Sequence, residues 1–348
     1  MQIRREEKAP AAPTVEDVAR AADVSTATVS RCLNAPDRVS ERTRERVMAA
    51  VRELGYAPNF GARALAAKRT NTFGAIIPTM ENAIFARGLQ AFQEALGQNG
   101  VTLLVASSSY RPDLEEDQIR ELVARGADAL LLIGHDRTPA SYAFLEQRRI
   151  PVVHAWVHDP ASPRISIGFD NRAAMKALAH EVMARGHDRL GVITAAREGN
   201  DRARERFAGI CDAMAERGLD PASLAVEETP YSIPNGAEAF TRLMARDPRP
   251  TAILCGNDVL AVGALGAARK MGIDVPGSVS ITGFDDIEIA EIVQPSLTTV
   301  HVPHREMGRR AAELLLALRN GDAAPQSVAL PTHIVWRDSL GPAPKTPA

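Results

Sequence analysis

Six residues between Thr26 and Asn34 have the sizes and polar groups needed to touch the edges of base pairs. Ala27, Ser30, Arg31 and Asn34 recur at helical spacing and so share one face, with Thr26 and Thr28 beside them near the start of the helix. Small hydroxyl and methyl groups with one arginine suit a major groove. Arginine pairs bidentately with guanine, and short apolar groups meet thymine methyls. The chemistry on offer is recognition of DNA, and the rest of the segment is built to present it.

Thr14 is a good N-cap for the preceding helix, with Asp17 three residues on to complete a capping box. Val15, Val18, Ala19 and Ala22 then form one buried stripe at i, i+3, i+4, i+7. Ala22-Asp23-Val24 makes the turn, Ser25 caps the second helix, and Val29, Cys32 and Leu33 point inward. Ser40 is placed to cap a third helix whose Val47, Ala50, Val51 and Leu54 close a small core. Tyr56-Ala57-Pro58 ends it, because the residue before proline is driven out of helical conformation. A candidate fourth helix follows over Asn59–Lys68. The whole reads as a helix-turn-helix headpiece, and the bland alternative, two ordinary surface helices, leaves the third stripe unexplained.

From Asn71 onward, short apolar runs alternate with amphipathic segments. FGAIIP, VTLLVAS, ADALLLIG and IPVVHAW read as buried strands, separated by helices around Arg87–Gly97, Leu114–Arg125 and Ser141–Arg148. RISIGFD, DRLGVITA, SLAVEE, PTAILCGND and VSITGFDD form a second set. Such alternation implies parallel sheets covered on both faces, here in two similar α/β subdomains. LTTVHVP, the helix-like REMGRRAAELLLALRN and short strands near Val328 and Ile334 suggest that the chain crosses back between them. Ligands of such sheets bind at the carboxyl ends of strands. Thr79, Ser107 to Tyr110, His135-Asp136, Trp156, Asp170-Asn171, Asn257-Asp258 and Asp285-Asp286 stand there. Polar groups with an aromatic wall suit a hydroxylated small molecule.

Charge divides along the chain. Residues 1–70 carry 13 Lys+Arg against 9 Asp+Glu, and the remaining residues carry 28 against 34, so a basic headpiece precedes an acidic body. The headpiece has the sign needed to displace counterions from phosphates, and 11 of its 13 basic residues are arginine. Three cysteines, far apart and odd in number, argue for a reducing compartment and against disulfides or a zinc site. His154 with His158, or His301 with His304, is only a pair at metal-ligand spacing, so neither a metal nor a cofactor is expected. The start of the chain lacks the apolar stretch of a signal peptide, and no apolar run of about 18 residues occurs, so a cytoplasmic location is expected.

Taken together, VARAADVSTATVSRCLN, RELGYAPNFGARALAAK, CGNDVLAVGAL and ITGFDDIEIAEIVQPSLTTV resemble the lactose-repressor (LacI) family of bacterial regulators over residues 14 to about 340. The resemblance implies an effector-binding body like the periplasmic binding proteins, which dimerises and takes a small molecule between its subdomains. It puts Thr26, Ala27, Thr28 and Arg31 at base-reading and backbone-clamping positions. Leu65 falls where the family wedges a leucine into the minor groove, on a hinge helix that begins at Asn59 and carries Ala62 one turn before. In the cleft, Arg206 matches the family's ligand-gripping arginine, Asn257 a hydrogen-bonding position, and Asp285 the aspartate that takes sugar hydroxyls or a polar ring edge. Phe85 and Trp156 fall near the apolar wall. Against these roles stand plainer ones: a solvated face for the Arg202, Arg204 and Arg206 run, core packing for Phe85 and Trp156. One departure is His154-Ala155-Trp156, where many relatives have an acidic residue before the tryptophan.

The expected layout is an arm at 1–13, the headpiece at 14–58, a hinge and linker at 59–70, and an effector-binding and dimerisation domain at 71–340. Its first subdomain takes about 71–168 and 301–327, its second 169–300 and 328–340, and 341–348 is read as a disordered tail. The expected function is a homodimeric repressor of a pseudo-palindromic operator, controlled by a sugar or sugar acid, with a nucleobase as the alternative effector. A hinge shorter than roughly 12–15 residues is marginal alone, so it is expected to fold on DNA, with Leu65 between base steps. The rivals are an enzyme or a binding protein on the same doubly wound body. G-x-G-x-x-G, G-x-x-x-x-G-K-[ST] and G-x-S-x-G are all absent from the chain, which weighs against the enzyme.

Overall fold

The computed structural model describes residues 12–57, 69–81, 83–321 and 325–345. It separates into two compact units, residues 1–70 and 71–348. The expected hinge residues Asn59, Ala62 and Leu65 lie outside the described residues.

The first unit holds α1 (Val15–Ala21), α2 (Thr26–Asn34) and α3 (Glu41–Leu54). Thr14 and Asp17 form the reciprocal capping box: the Asp17 N–H donates to Thr14 Oγ1 at 3.3 Å and the Thr14 N–H to Asp17 Oδ2 at 2.9 Å. Ser25 caps α2 by accepting from the Thr28 N–H at 3.2 Å. Ser40 stands at the N-cap of α3, but its hydroxyl bonds that of Thr43 at 2.9 Å instead of a backbone N–H. Val18, Val29, Cys32, Val47 and Ala50 are buried together where the three stripes meet.

In the second unit, β1 (Thr72–Ile77), β2 (Thr102–Ser107), β3 (Ala129–Ile133), β4 (Val152–Ala155) and β5 (Ser166–Gly168) pair in parallel. The connecting helices are α4 (Ala86–Gln98), α5 (Pro112–Ala124) and α6 (Pro139–Arg148). A second parallel sheet has β6 (Leu190–Thr194), β7 (Ala225–Glu228), β8 (Ala252–Cys255) and β9 (Ser280–Thr282). Around it stand α7 (Asn171–Ala184), α8 (Asp201–Glu216), α9 (Ile233–Met244) and α10 (Asp258–Lys270), with the short α11 (Ile289–Ile292) beyond. The chain then forms β10 (Thr299–His301), α12 (His304–Asn320), β11 (Val328–Ala329) and β12 (His333–Val335). The strand orders are β11-β5-β4-β3-β1-β2 and β7-β6-β8-β9, so both sheets reverse direction beside their first strand. That switch point opens a crevice at the carboxyl ends.

Three sequence expectations change. The run giving β2 is apolar, yet β2 is an edge strand and partly exposed, because strand composition reports a sheet and not a place in it. The expected second subdomain resumes at Val328, but β11 pairs with β5 and extends the first sheet, and β12 pairs with β10. The tail begins pinned: Gly341 donates to Ser280 Oγ at 3.1 Å and the Ala343 N–H to the Arg185 carbonyl at 2.9 Å.

The helix that returns is held unusually close. A Cβ on Gly308 of α12 would lie 1.9 Å from the Gly88 carbonyl oxygen of α4, so the two backbones touch there. Only glycine permits that approach.

Candidate functional site

On α2, Val29 and Cys32 turn into the headpiece core, which by helical geometry leaves the opposite face outward. Thr26, Ala27, Ser30 and Arg31 are exposed on it. Thr28 is half-buried, with its hydroxyl 2.9 Å from Ser25 Oγ, so it shares in the cap. Asn34 is the last residue of the helix.

The second candidate site is the crevice between the two sheets. Arg206, on α8, is buried and held on all sides. Its Nε donates to Asn171 Oδ1 at 2.9 Å, Nη1 to the Gly256 carbonyl at 2.6 Å and Nη2 to Asp285 Oδ1 at 3.4 Å. Its guanidinium lies 3.6 Å from the centre of the Phe284 ring, a cation–π contact strengthened by burial. Burial raises the Asp285 carboxyl to about 6, against the pull of Arg206.

Trp156 reaches the same cavity from the end of β4, and Phe85 meets its ring edge-on at 5.2 Å. The indole Nε1–H donates to His304 Nδ1 at 3.1 Å, and His304 Nε2–H donates to the Asp285 carbonyl at 3.1 Å. The two bonds together require the neutral Nε2–H tautomer, and burial holds the imidazole down at about 4. Trp156 and Asp285 both have left-handed backbone, with φ of 60° and 105°, a conformation that costs about 1–3 kcal/mol in a non-glycine residue. His304, the first residue of α12, thus links two strained residues across the crevice.

Asn257 caps α10 through Oδ1, which accepts from the Leu260 N–H at 2.9 Å. Its Nδ2 is buried without a hydrogen-bond partner, a costly state that an acceptor on a ligand would relieve. Asp258 and Asp286 hold neighbours in place. Asp258 accepts from Thr299 at 2.6 Å and from the Ile287 N–H at 2.8 Å, and Asp286 lies 2.8 Å from both Arg337 and His301.

Phe85, Trp156, Arg206, Asn257 and Asp285 therefore line one cavity, together with Ile84, Tyr110, Asn200, Arg202 and Tyr231. Thr79 is not among its walls, and its hydroxyl accepts from the Glu81 N–H at 3.0 Å. Sequence reasoning passed over Tyr231 and Asn200 and set Arg202 aside with a solvated run. The signal was present: residues 202 and 206 share a helical face and 204 does not. Both are buried, whereas Arg204 reaches out to pair with Asp136 at 2.7 and 3.0 Å. His154 bonds the Gly134 carbonyl and Arg137, and His301 faces Asp286.

The cavity is small, about 20 Å³, room for about one water. Tyr110 and Tyr231, from opposite subdomains, stand with ring centres 5.5 Å apart at its side. Beyond them is a pocket of about 290 Å³, and another of about 380 Å³ lies beside Arg202 and His158. The His135 N–H donates to Asp201 at 2.5 Å, and Arg87 pairs with Glu288, so both sides of the crevice are tied across.

A helix-turn-helix headpiece and a two-sheet body with a polar crevice define a ligand-responsive, DNA-binding regulator. Residues 14–59 match the model for bacterial regulatory proteins of the lacI family, and residues 179–340 a periplasmic binding protein-like domain. The chain belongs to the LacI family of bacterial transcription regulators. It is 35% identical to the HTH-type transcriptional regulator GntR of Pseudomonas aeruginosa over 89% of this chain and 90% of that one. With the HTH-type transcriptional repressor PurR of Escherichia coli it shares 33% over 95% and 98%. A LacI-family regulator from Silicibacter pomeroyi superposes with a TM-score of 0.86 at 30% identity, covering 94% of this chain and 99% of that one. The Lac repressor dimer bound to operator and the anti-inducer ONPF gives 0.83 at 27%, with the same coverage.

Proposed function

We propose that this regulator is a homodimeric repressor whose hold on a pseudo-palindromic operator is set by a small molecule in the crevice. Residues 14–58 form the DNA-reading headpiece, 59–70 the hinge, and 71–340 the effector-binding and dimerising body. Thr26, Ala27, Thr28, Arg31 and Asn34 contact bases and phosphates, and Asn59, Ala62 and Leu65 the minor groove. Relatives of this kind regulate transcription, so no catalytic role is assigned, and the cytoplasm is where the operator is met.

The observation that carries the effector reading is the buried Arg206–Asp285 pair beside an Asn257 donor that lacks a partner. Charges and donors withdrawn from water at this cost suit a ligand with several oxygens. A sugar or sugar acid is favoured. The CelR–cellobiose complex and the Lac repressor bound to ONPG are among the similar structures. Dimerisation is supported by the apolar exposure of Ile233 and Ile292 beside Val262 and Ile287.

The test is operator retardation by wild type and by Arg206→Lys and Asp285→Asn, titrated with sugars and sugar acids. These replacements keep polarity at each position, because removing one partner of a buried pair outright costs about 3–5 kcal/mol. Wild type should release or tighten on one ligand, and both variants should bind DNA but respond at least tenfold more weakly. An undiminished response in both would remove the crevice as the effector site.

A further inference from the structure

We propose that His301 and His333 form a binding site for a divalent transition metal of the zinc and nickel kind, which fastens β10 to β12. The two residues are register partners across this antiparallel ribbon, so their side chains stand on the same side of it. Their ring centres are 4.8 Å apart. Both rings meet solvent: the His301 side chain is 38% exposed, and His333 is exposed outright. Neither histidine is a wall of the inner cavity, so the site is separate from the crevice.

The surroundings prepare His301 for a metal. Its Nδ1 lies 2.8 Å from Asp286 Oδ2, and a carboxylate only accepts, so Nδ1 carries the proton. In the neutral ring the lone pair is then on Nε2. A carboxylate behind a histidine is the usual backing of a metal-bound imidazole, because it fixes the ring and raises its basicity. Asp286 is itself fixed, its Oδ1 accepting from Arg337 Nη2 at 2.8 Å. Two nitrogens on a tetrahedral zinc stand roughly 3.3 Å apart, so the two rings need only lean together at their tips. Exposed His333 has room for that swing. Among the described residues no group of three His, Cys, Asp or Glu side chains is arranged to hold a metal, so water completes the coordination. Imidazole as the protein ligand selects zinc, nickel or copper over magnesium or calcium. The pairing weighed in the sequence, His301 with His304, is not this site. His304 turns inward to Trp156 and the Asp285 carbonyl, and the partner of His301 is brought from far along the chain by strand pairing.

The test is isothermal titration calorimetry of the full-length protein, free of any purification tag, with zinc, nickel and magnesium chlorides. Zinc and nickel should each bind saturably at one site per chain, and magnesium should not. His301→Gln and His333→Gln should each weaken zinc binding at least tenfold, and Asp286→Asn by roughly 10–100-fold. His180→Gln, on α7 beside Glu216, should leave it unchanged. Should a ribbon variant fold poorly, the wild type decides: paramagnetic nickel should broaden the ring resonances of His301 and His333 before those of the other histidines. Zinc binding that survives both ribbon variants, an equal loss in His180→Gln, or nickel broadening centred on another histidine overturns the proposal. So does the absence of saturable binding, or magnesium bound as tightly as zinc, which would mark carboxylates as the ligands.

Discussion

At the scale of single residues, recognition here depends on which polar groups are left to an outside partner. Arg31 is exposed on α2, so Arg31→Ala should cost roughly 1–3 kcal/mol of operator affinity. An unchanged titration would take it out of the interface. Asp285 gives a sharper test. Its carboxyl is raised from 3.8 to about 6, so the folded protein holds a proton that the unfolded chain has lost between those values. Stability from this group is full below about pH 4 and declines as pH rises to about 6. The Tm of Asp285→Asn relative to wild type should therefore climb over that window and level off above it; a constant difference would contradict the burial argument. That Arg206, Asn257 and Asp285 would stand together at the crevice was legible from motifs. Arg202 was legible only through the helical face it shares with Arg206, and Tyr231 not at all, because nothing local distinguishes a tyrosine after a strand. Only the packing of two subdomains brings them to one cavity.

Among elements, the strands and helices of the body were legible from alternation of apolar runs with amphipathic ones, and the capping box at Thr14 from residue type alone. What escaped was assembly. β2 reads like a central strand, and β11 is two residues whose sheet is settled by the free edge of β5. The most consequential element is α12, which begins at the cleft with His304 and presses Gly308 against Gly88. Gly88 also faces the Trp156 ring, 2.5 Å from where its Cβ would be. Gly308→Ala should therefore destabilise the body by about 1–3 kcal/mol through overpacking, and Trp156 emission should shift with the altered helix seat. Chemical denaturation monitored by tryptophan fluorescence in a Trp336→Phe background would read both; a wild-type midpoint and spectrum would show that the helices have room to spare.

For the whole molecule, a DNA-reading headpiece and a ligand-reading body are carried on one chain. The headpiece was legible almost residue by residue, because three short helices must announce their caps and stripes locally. A single headpiece offers one recognition helix, so two are needed to reach successive grooves. Sedimentation should accordingly give a dimer at micromolar concentration, and Ile292→Asp on the exposed apolar surface should shift it toward monomer with parallel loss of operator affinity. Full affinity in a monomer would end the dimer model. The central claim is sequence-specific DNA binding, and its most direct measurement is equilibrium binding of the full-length protein to fragments of its own genome at one fixed salt concentration. The account predicts that a few fragments bind saturably, on the order of 10³-fold or more tighter than shuffled DNA of equal length. Equal affinity for every fragment, weakening together as salt rises, would contradict it.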